Sequence, residues 1–164
     1  MNIIKEIENI GTVRYEESFW TGKKSLFLNG VPLTKLSKTE FEYAKDEVVM
    51  KFSLNGSVLS GVNVVVNGAR YELLQKTAWY EYIAAFIGFL FILIWGNVPS
   101  LCKIFPVVGG AIGGLFGALG GILGILMMRV SNKPILRILL GLAGSLIAVL
   151  VCFLIGFAIV SATK

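Results

Sequence analysis

The last 88 residues of this 164-residue chain carry only six charges: Glu81, Lys103, Arg129, Lys133, Arg137 and Lys164. The first 76 carry the other 19, ten basic and nine acidic. A soluble fold of this size has no interior large enough to hide so apolar a half, so lipid is its expected solvent. Two domains are therefore expected: a soluble domain over 1–76 and a transmembrane domain over 77–164.

Three stretches pass the length test for crossing a bilayer. They are Thr77–Trp95, with Glu81 near its start, and the uncharged Ile104–Met128 and Ile138–Thr163. Roughly 20 helical residues span the hydrocarbon, and only a helix satisfies its own backbone there. Spans are expected at about 77–96, 105–128 and 137–161. Trp79, Tyr80 and Tyr82 open the first and Trp95 closes it, as amphipathic rings do at the two interfaces, which sets Glu81 at headgroup depth. Gly96, Asn97 and Pro99 break that helix. Pro106 suits the first turn of the second, and Asn132 is the expected N-cap of the third, ahead of Pro134.

The loop between spans two and three holds Arg129, Lys133 and Arg137, against Lys103 alone in the other loop. The positive-inside rule puts the richer loop in the cytoplasm. Three crossings then place the N-terminal domain on the same side and the C-terminus outside, in a multi-pass cell-membrane protein. The opening residues Met1–Glu6 show no secretory signal, which agrees with that placement. Cys102 falls in the outer loop and Cys152 at mid-membrane, depths at which a disulfide is not expected.

Half of the 16 residues from Gly109 to Gly124 are glycine. Gly109, Gly113, Gly117 and Gly121 recur every fourth residue, with Gly120 and Gly124 read as continuing that side. Residues four apart share a helix face, so the pattern is a glycine zipper, a surface for close backbone contact in lipid. The third span has a weaker stripe of small residues: Gly141, Ser145, Ala148, Cys152 and Gly156. Packing of the two spans within one chain is the preferred reading, and packing between copies the sharper one. Between Val107 and Met128 there is no polar side chain, and no acid or base is expected inside the membrane. That weighs against a proton-coupled transporter and leaves a homo-oligomeric channel on the glycine helix as the alternative function.

Residues 11–75 alternate and turn like an all-β domain, a small sandwich or barrel. Strand-like runs cover Thr12–Phe19 and Glu47–Leu54, and Ile3–Ile10 is open to strand or helix. Turn signals fall at Thr21-Gly22, Asn29-Gly30, Asn55-Gly56, Ser60-Gly61 and Asn67-Gly68. Leu26–Leu33 resembles Val64–Tyr71 at an offset of 38, which predicts two related hairpins. Arg70 and Lys76 are placed near the membrane junction, within reach of anionic headgroups. Trp20, Lys23 and Lys24 at a hairpin tip form the candidate contact for a cytosolic protein partner. The plainer and preferred reading folds Trp20 onto the core.

No chemistry stands out. The chain has no histidine, which removes histidine-based catalysis and most zinc sites. Its glycine run lacks the Gly-Lys-Ser/Thr ending of a phosphate loop, and neither a dinucleotide fingerprint nor a Gly-x-Ser-x-Gly elbow occurs. Asp46–Glu47 and Glu16–Glu17 point to opposite strand faces, and Glu40 with Glu42 fits an exposed strand. A net charge of +1 over residues 1–76 gives no case for nucleic acid. No enzyme activity, cofactor or metal is expected. The expected partners are the lipid bilayer, a cytosolic protein and further copies of the chain.

Trp20-Thr21-Gly22-Lys23-Lys24, Asn29-Gly30, Trp79-Tyr80-Glu81-Tyr82, and Trp95-Gly96-Asn97 leading to Phe105-Pro106-Val107-Val108-Gly109-Gly110 resemble a group of small Gram-positive-type bacterial membrane proteins. The resemblance implies a β domain ahead of three spans and brings no assigned activity or site residue. The Trp-x-Gly-Lys-Lys and Asn-Gly hairpins are also similar, over a short length, to the β-sandwich of Fas apoptotic inhibitory molecules.

Overall fold

A computed structural model of the chain describes residues 2–18, 20–45 and 48–162. The expected strand ends Phe19 and Glu47, the Asp46–Glu47 pair and the span end Thr163 lie outside the described residues. The chain falls into two compact units, Met1–Lys76 and Thr77–Lys164.

Among the described residues the first unit holds nine strands: β1 (Asn2–Ile7), β2 (Gly11–Glu17), β3 (Lys24–Leu28), β4 (Val31–Pro32), β5 (Thr34–Lys35), β6 (Glu40–Lys45), β7 (Val48–Ser57), β8 (Gly61–Val66) and β9 (Ala69–Leu74). They form two antiparallel sheets in simple chain order, β1-β2-β3-β4 and β5-β6-β7-β8-β9. Alternation sends every second side chain inward: Val13 and Tyr15 from β2, Leu26 and Leu28 from β3, Phe52 and Leu54 from β7, and Val62, Val64 and Val66 from β8 are all buried. Leu33, buried between β4 and β5, marks where the chain passes from one sheet to the other. The ambiguous N-terminal run is strand β1, pairing with β2 from Asn2↔Glu16 to Ile7↔Gly11.

The hairpin repeat is present. Asn29-Gly30 and Asn67-Gly68 have nearly the same positive φ angles, 50° and 83° against 50° and 85°, and each closes a two-residue turn, β3 to β4 and β8 to β9. Asn55-Gly56 is not a turn. It lies inside β7, with Asn55 opposite Asn63 and Gly56 opposite Val62. The reversal comes after it, at Ser57–Ser60, where the Ser60 amide donates to the Ser57 carbonyl at 3.1 Å and the Ser57 amide to Ser60 Oγ at 3.0 Å.

The second unit holds α1 (Trp79–Trp95), the short α2 (Pro99–Ile104), α3 (Gly110–Met128) and α4 (Pro134–Ala162). Helices α3 and α4, of 19 and 29 residues, are long and apolar enough to cross a membrane; α1 is a shorter apolar helix. Each of α1, α3 and α4 packs on the other two.

Three expected boundaries are corrected. The second span does not begin near Pro106. Phe105–Gly109 is non-helical, and α3 starts at Gly110. The freed backbone there is partly satisfied from neighbouring helices, by Trp95 Nε1 donating to the Phe105 carbonyl at 3.0 Å and the Val108 amide donating to the Cys152 carbonyl at 3.2 Å. Residues 99–104, read as loop, form α2 with Pro99 in its first turn. Asn132 is not the cap of α4, because the Lys133 carbonyl takes the first bond, from Arg137 N at 3.0 Å, and Pro134 is the first helical residue.

Candidate functional site

The glycines of α3 look in two directions. Toward α1, a Cβ on Gly113 would lie 2.9 Å from Ile92 Cγ2 and one on Gly117 2.8 Å from Phe89 Cδ2; one on Gly121 would overlap the Phe86 ring, and one on Gly109 the backbone of Gly96. Toward α4, a Cβ on Gly120 would overlap Ala148, and one on Gly124 would stand 2.9 Å from the Gly141 carbonyl. The single side expected for all six is thus two faces. Neighbours in a helix turn by about 100°, so Gly120 cannot share the aim of Gly121. Gly110 and Gly114 look into open space.

The small-residue stripe of α4 (Gly141, Ser145, Ala148, Cys152 and Gly156) is buried throughout. Gly144 joins it, its missing Cβ leaving room for the Gly124 amide, and Gly156 sits against the Pro106 carbonyl. The sequence reading missed the third partner. Helix α1 buries Ala84, Ala85 and Gly88. The Ser145 hydroxyl points its one proton between the Ala84 and Ala85 carbonyls, at 3.0 and 2.6 Å. The spacing 84, 85, 88 is the same small-residue signal, hidden in a helix whose aromatics drew the eye.

At the end of the unit where α1 begins lies a buried ion pair. Arg137 Nε and Nη2 donate to Glu81 Oε1 and Oε2 at 2.5 and 2.8 Å. Both residues are 2% exposed. Glu81 Oε2 also accepts the Ala78 amide at 2.8 Å, capping α1. Beside it, Arg129 Nη2 donates to Thr77 Oγ1 at 2.6 Å. One expectation is corrected and another sharpened: Arg137 lies in the first turn of α4 and not in a loop, and Glu81 is buried in a pair, so among the described residues an acid and a base meet inside the helical unit. A two-pronged guanidinium–carboxylate pair in apolar surroundings fixes geometry more than a point charge would. The signal was legible in outline: the one acid of the last 88 residues and an arginine in the first turn of an apolar helix have nowhere else to find compensation.

Both cysteines are free. Cys102 Sγ donates to the Trp95 carbonyl at 3.2 Å and reaches the Val107 carbonyl at 3.7 Å, while Cys152 packs in one cluster with Ile92, Val107 and Ala148. Helix α4 begins at Pro134 and runs 29 residues, which sets Cys152 about 27 Å along it, about 6 Å past its midpoint.

In the β unit the hairpin tip differs from the preferred reading. Trp20 is 91% exposed and not folded onto the core. The Gly22 amide donates to the Ser18 carbonyl at 2.8 Å, and Gly22 adopts a φ of 63° that glycine allows. Lys23 is exposed, whereas Lys24 Nζ donates to the Gly56 carbonyl on the other sheet. Glu17 Oε2 accepts from Tyr15 Oη at 2.7 Å and from the Val58 amide at 2.8 Å. Burial, and then the Glu17 carboxylate beside it, push the Tyr15 phenol above its ordinary value of 10.0. Arg70 is not near Lys76. It stands next to the Asn67-Gly68 turn, opposite Val65, at the other end of β9.

Among the described residues there is no cluster of three or more metal-ligating side chains. No family model, curated protein or solved structure matches the chain.

Proposed function

We propose that the chain is an integral membrane protein in which α1, α3 and α4 cross the bilayer and anchor a cytoplasmic β unit that serves as a binding or assembly module. The observation that carries this reading is the inverted polarity of the helical unit. Its outward faces are aliphatic: Ile83, Ile87, Leu90 and Ile94 on α1, Ile112, Leu115, Leu119 and Leu123 on α3, Leu139, Leu142, Leu146, Leu150 and Leu154 on α4. Its inward faces hold glycine, alanine, serine and an ion pair. Water does not tolerate so continuous an apolar exterior, and lipid does. Helix α1, about 26 Å long, is short for a span, and its terminal Trp79, Tyr80 and Trp95 suit the two interfaces.

With Arg137 paired inside, the loop after α3 offers Arg129 and Lys133 against Lys103 on the other side, and the sign of the bias still favours a cytoplasmic N-terminal unit. The close packing of α1, α3 and α4 fits the glycine-zipper reading. A channel lined by the α3 glycines draws no such support, since those glycines meet Phe86, Phe89 and Ala148 of the same chain.

The test has two arms. The intact chain should stay with membranes through alkaline washing and leave them only in detergent; recovery in the aqueous fraction would end the reading. Removing residues 1–75 should abolish co-purification of a partner while leaving the anchor in the membrane, and retention of the partner by the helices alone would remove the module's role.

A further inference from the structure

Four contacts locate one end of the β unit. The β2–β3 turn carrying Trp20 lies there, because Glu17, just before it, binds the Val58 amide of the β7–β8 turn. Lys24, just after it, binds the Gly56 carbonyl. Strand β9 finishes at the same end: Leu74 pairs with Val62, and a Cβ on Gly61 would lie 2.6 Å from Lys76 Cα. Lys76 is the point from which the chain leaves the unit for α1.

This end has the chemistry of an interfacial contact. Among the described residues of the unit, Trp20 is the one aromatic side chain among the exposed large hydrophobics. An exposed indole costs little at a headgroup layer, which offers it an apolar body and a wet edge. The cations beside it are free to face anions: Lys23 and Lys76 are exposed. Of the nearby acids, Glu17 turns inward to Tyr15 and Val58, Glu16 lies toward Arg14 at 3.4 Å, and Glu72 Oε1 accepts the Lys76 amide at 3.2 Å, which leaves Lys23 as the cation of the tip. The turns at the opposite end, Glu8–Ile10, Asn29-Gly30 and Asn67-Gly68, have no exposed aromatic.

We infer that the β2–β3 tip is a lipid contact, with the Trp20 indole at headgroup level and Lys23 on the phosphates of anionic phospholipid in the leaflet where α1 begins. The inference rests on the membrane reading above and names the first partner of the β unit: the bilayer that holds its own helices. Lysine near an anionic surface adds a salt-sensitive attraction that falls off within the screening length.

The experiment uses the full chain in nanodiscs of brominated phosphatidylglycerol mixed with phosphatidylcholine, and in pure brominated phosphatidylcholine. The emission difference between wild type and Trp20→Phe reports Trp20; that between wild type and Trp79→Phe reports Trp79, a control expected at the interface. Trp20 emission should be quenched with the anionic lipid, and restored by Lys23→Glu or by salt at about 1 M. Quenching of Trp79 with Trp20 unquenched, or equal quenching of Trp20 in both lipids, overturns the contact and leaves the anchor intact. Trp79 and Trp20 both unquenched overturns the membrane reading and the contact with it.

Discussion

In the β unit the interior is made of side chains: Tyr15, Phe41, Phe52, Leu26, Leu28 and Leu54 fill the space between the sheets. In the helical unit it is made largely of backbone and small groups, where Gly124 and Gly144 let the backbones of α3 and α4 meet, Gly120 admits Ala148, Gly141 admits Met128, and Gly88 admits Ser145 of α4 against α1. Water drives the first arrangement, rewarding each large apolar group removed from it. Lipid, the solvent proposed for the second, gives no such reward, so under that proposal contact distance and polar pairing hold it. The two units should therefore fail under opposite substitutions: loss of volume in one, gain of volume in the other.

The largest effect is expected where a polar partner is removed from the helical interior. Arg137→Met leaves Glu81 buried and uncompensated and should cost about 3–5 kcal/mol, read as a fall in the helical unfolding transition in detergent or nanodiscs. The double variant Glu81→Gln, Arg137→Met should recover part of that loss. A double variant no better than the single would refute the pairing. Phe52→Ala should cost a similar amount, about 3–5 kcal/mol, but in the β-sheet transition, leaving the helical one in place.

Overpacking is the next test. Gly117→Leu drives a side chain into Phe89 and should cost about 1–3 kcal/mol or more, seen as lowered thermal stability and disturbed helix association. Gly114→Leu, three residues away and facing open space, should change little. Equal damage from both would mean that glycine content, and not its direction, matters. A milder distinction is pH. Because the Tyr15 phenol titrates above its ordinary value when folded, its contribution to stability is complete below pH about 10 and is lost progressively as pH rises beyond that. The β unit should weaken there, and Tyr15→Phe should flatten that dependence. The smallest effect is Gly114→Ala, expected to raise helical stability by less than about 1 kcal/mol through helix propensity alone.

What the sequence disclosed follows the same division. The period-2 pattern and the two Asn-Gly turns at offset 38 were readable because turn chemistry is local. Asn55-Gly56 misled for the same reason: the dipeptide permits a hairpin, but the register of β7 against β8, a nonlocal property, placed the reversal after Ser57. The small-residue stripes of α3 and α4 were readable from spacing. The split of the α3 glycines into two faces was not, since it depends on where α1 and α4 stand. Glu81 and Arg137 were each visible, yet their pairing spans most of the helical unit, and counting charges by loop concealed it. Trp20 shows the limit of composition: tryptophan is mostly buried in folded proteins, and nothing in its neighbours announced a side chain held outward.

The acid of α1 and its base are separated by 56 residues. If the helices enter the bilayer as they are made, at about 5–20 residues per second, the carboxylate waits roughly 3–11 s for its guanidinium. Through that interval α1 is an imperfect passenger, held at the lip of the insertion machinery or shielded there by a helper. Arrival of the fourth helix is then the step that commits the first, so biogenesis of the anchor is all-or-none, and a chain truncated before Arg137 should be recognised and degraded rather than left half-inserted.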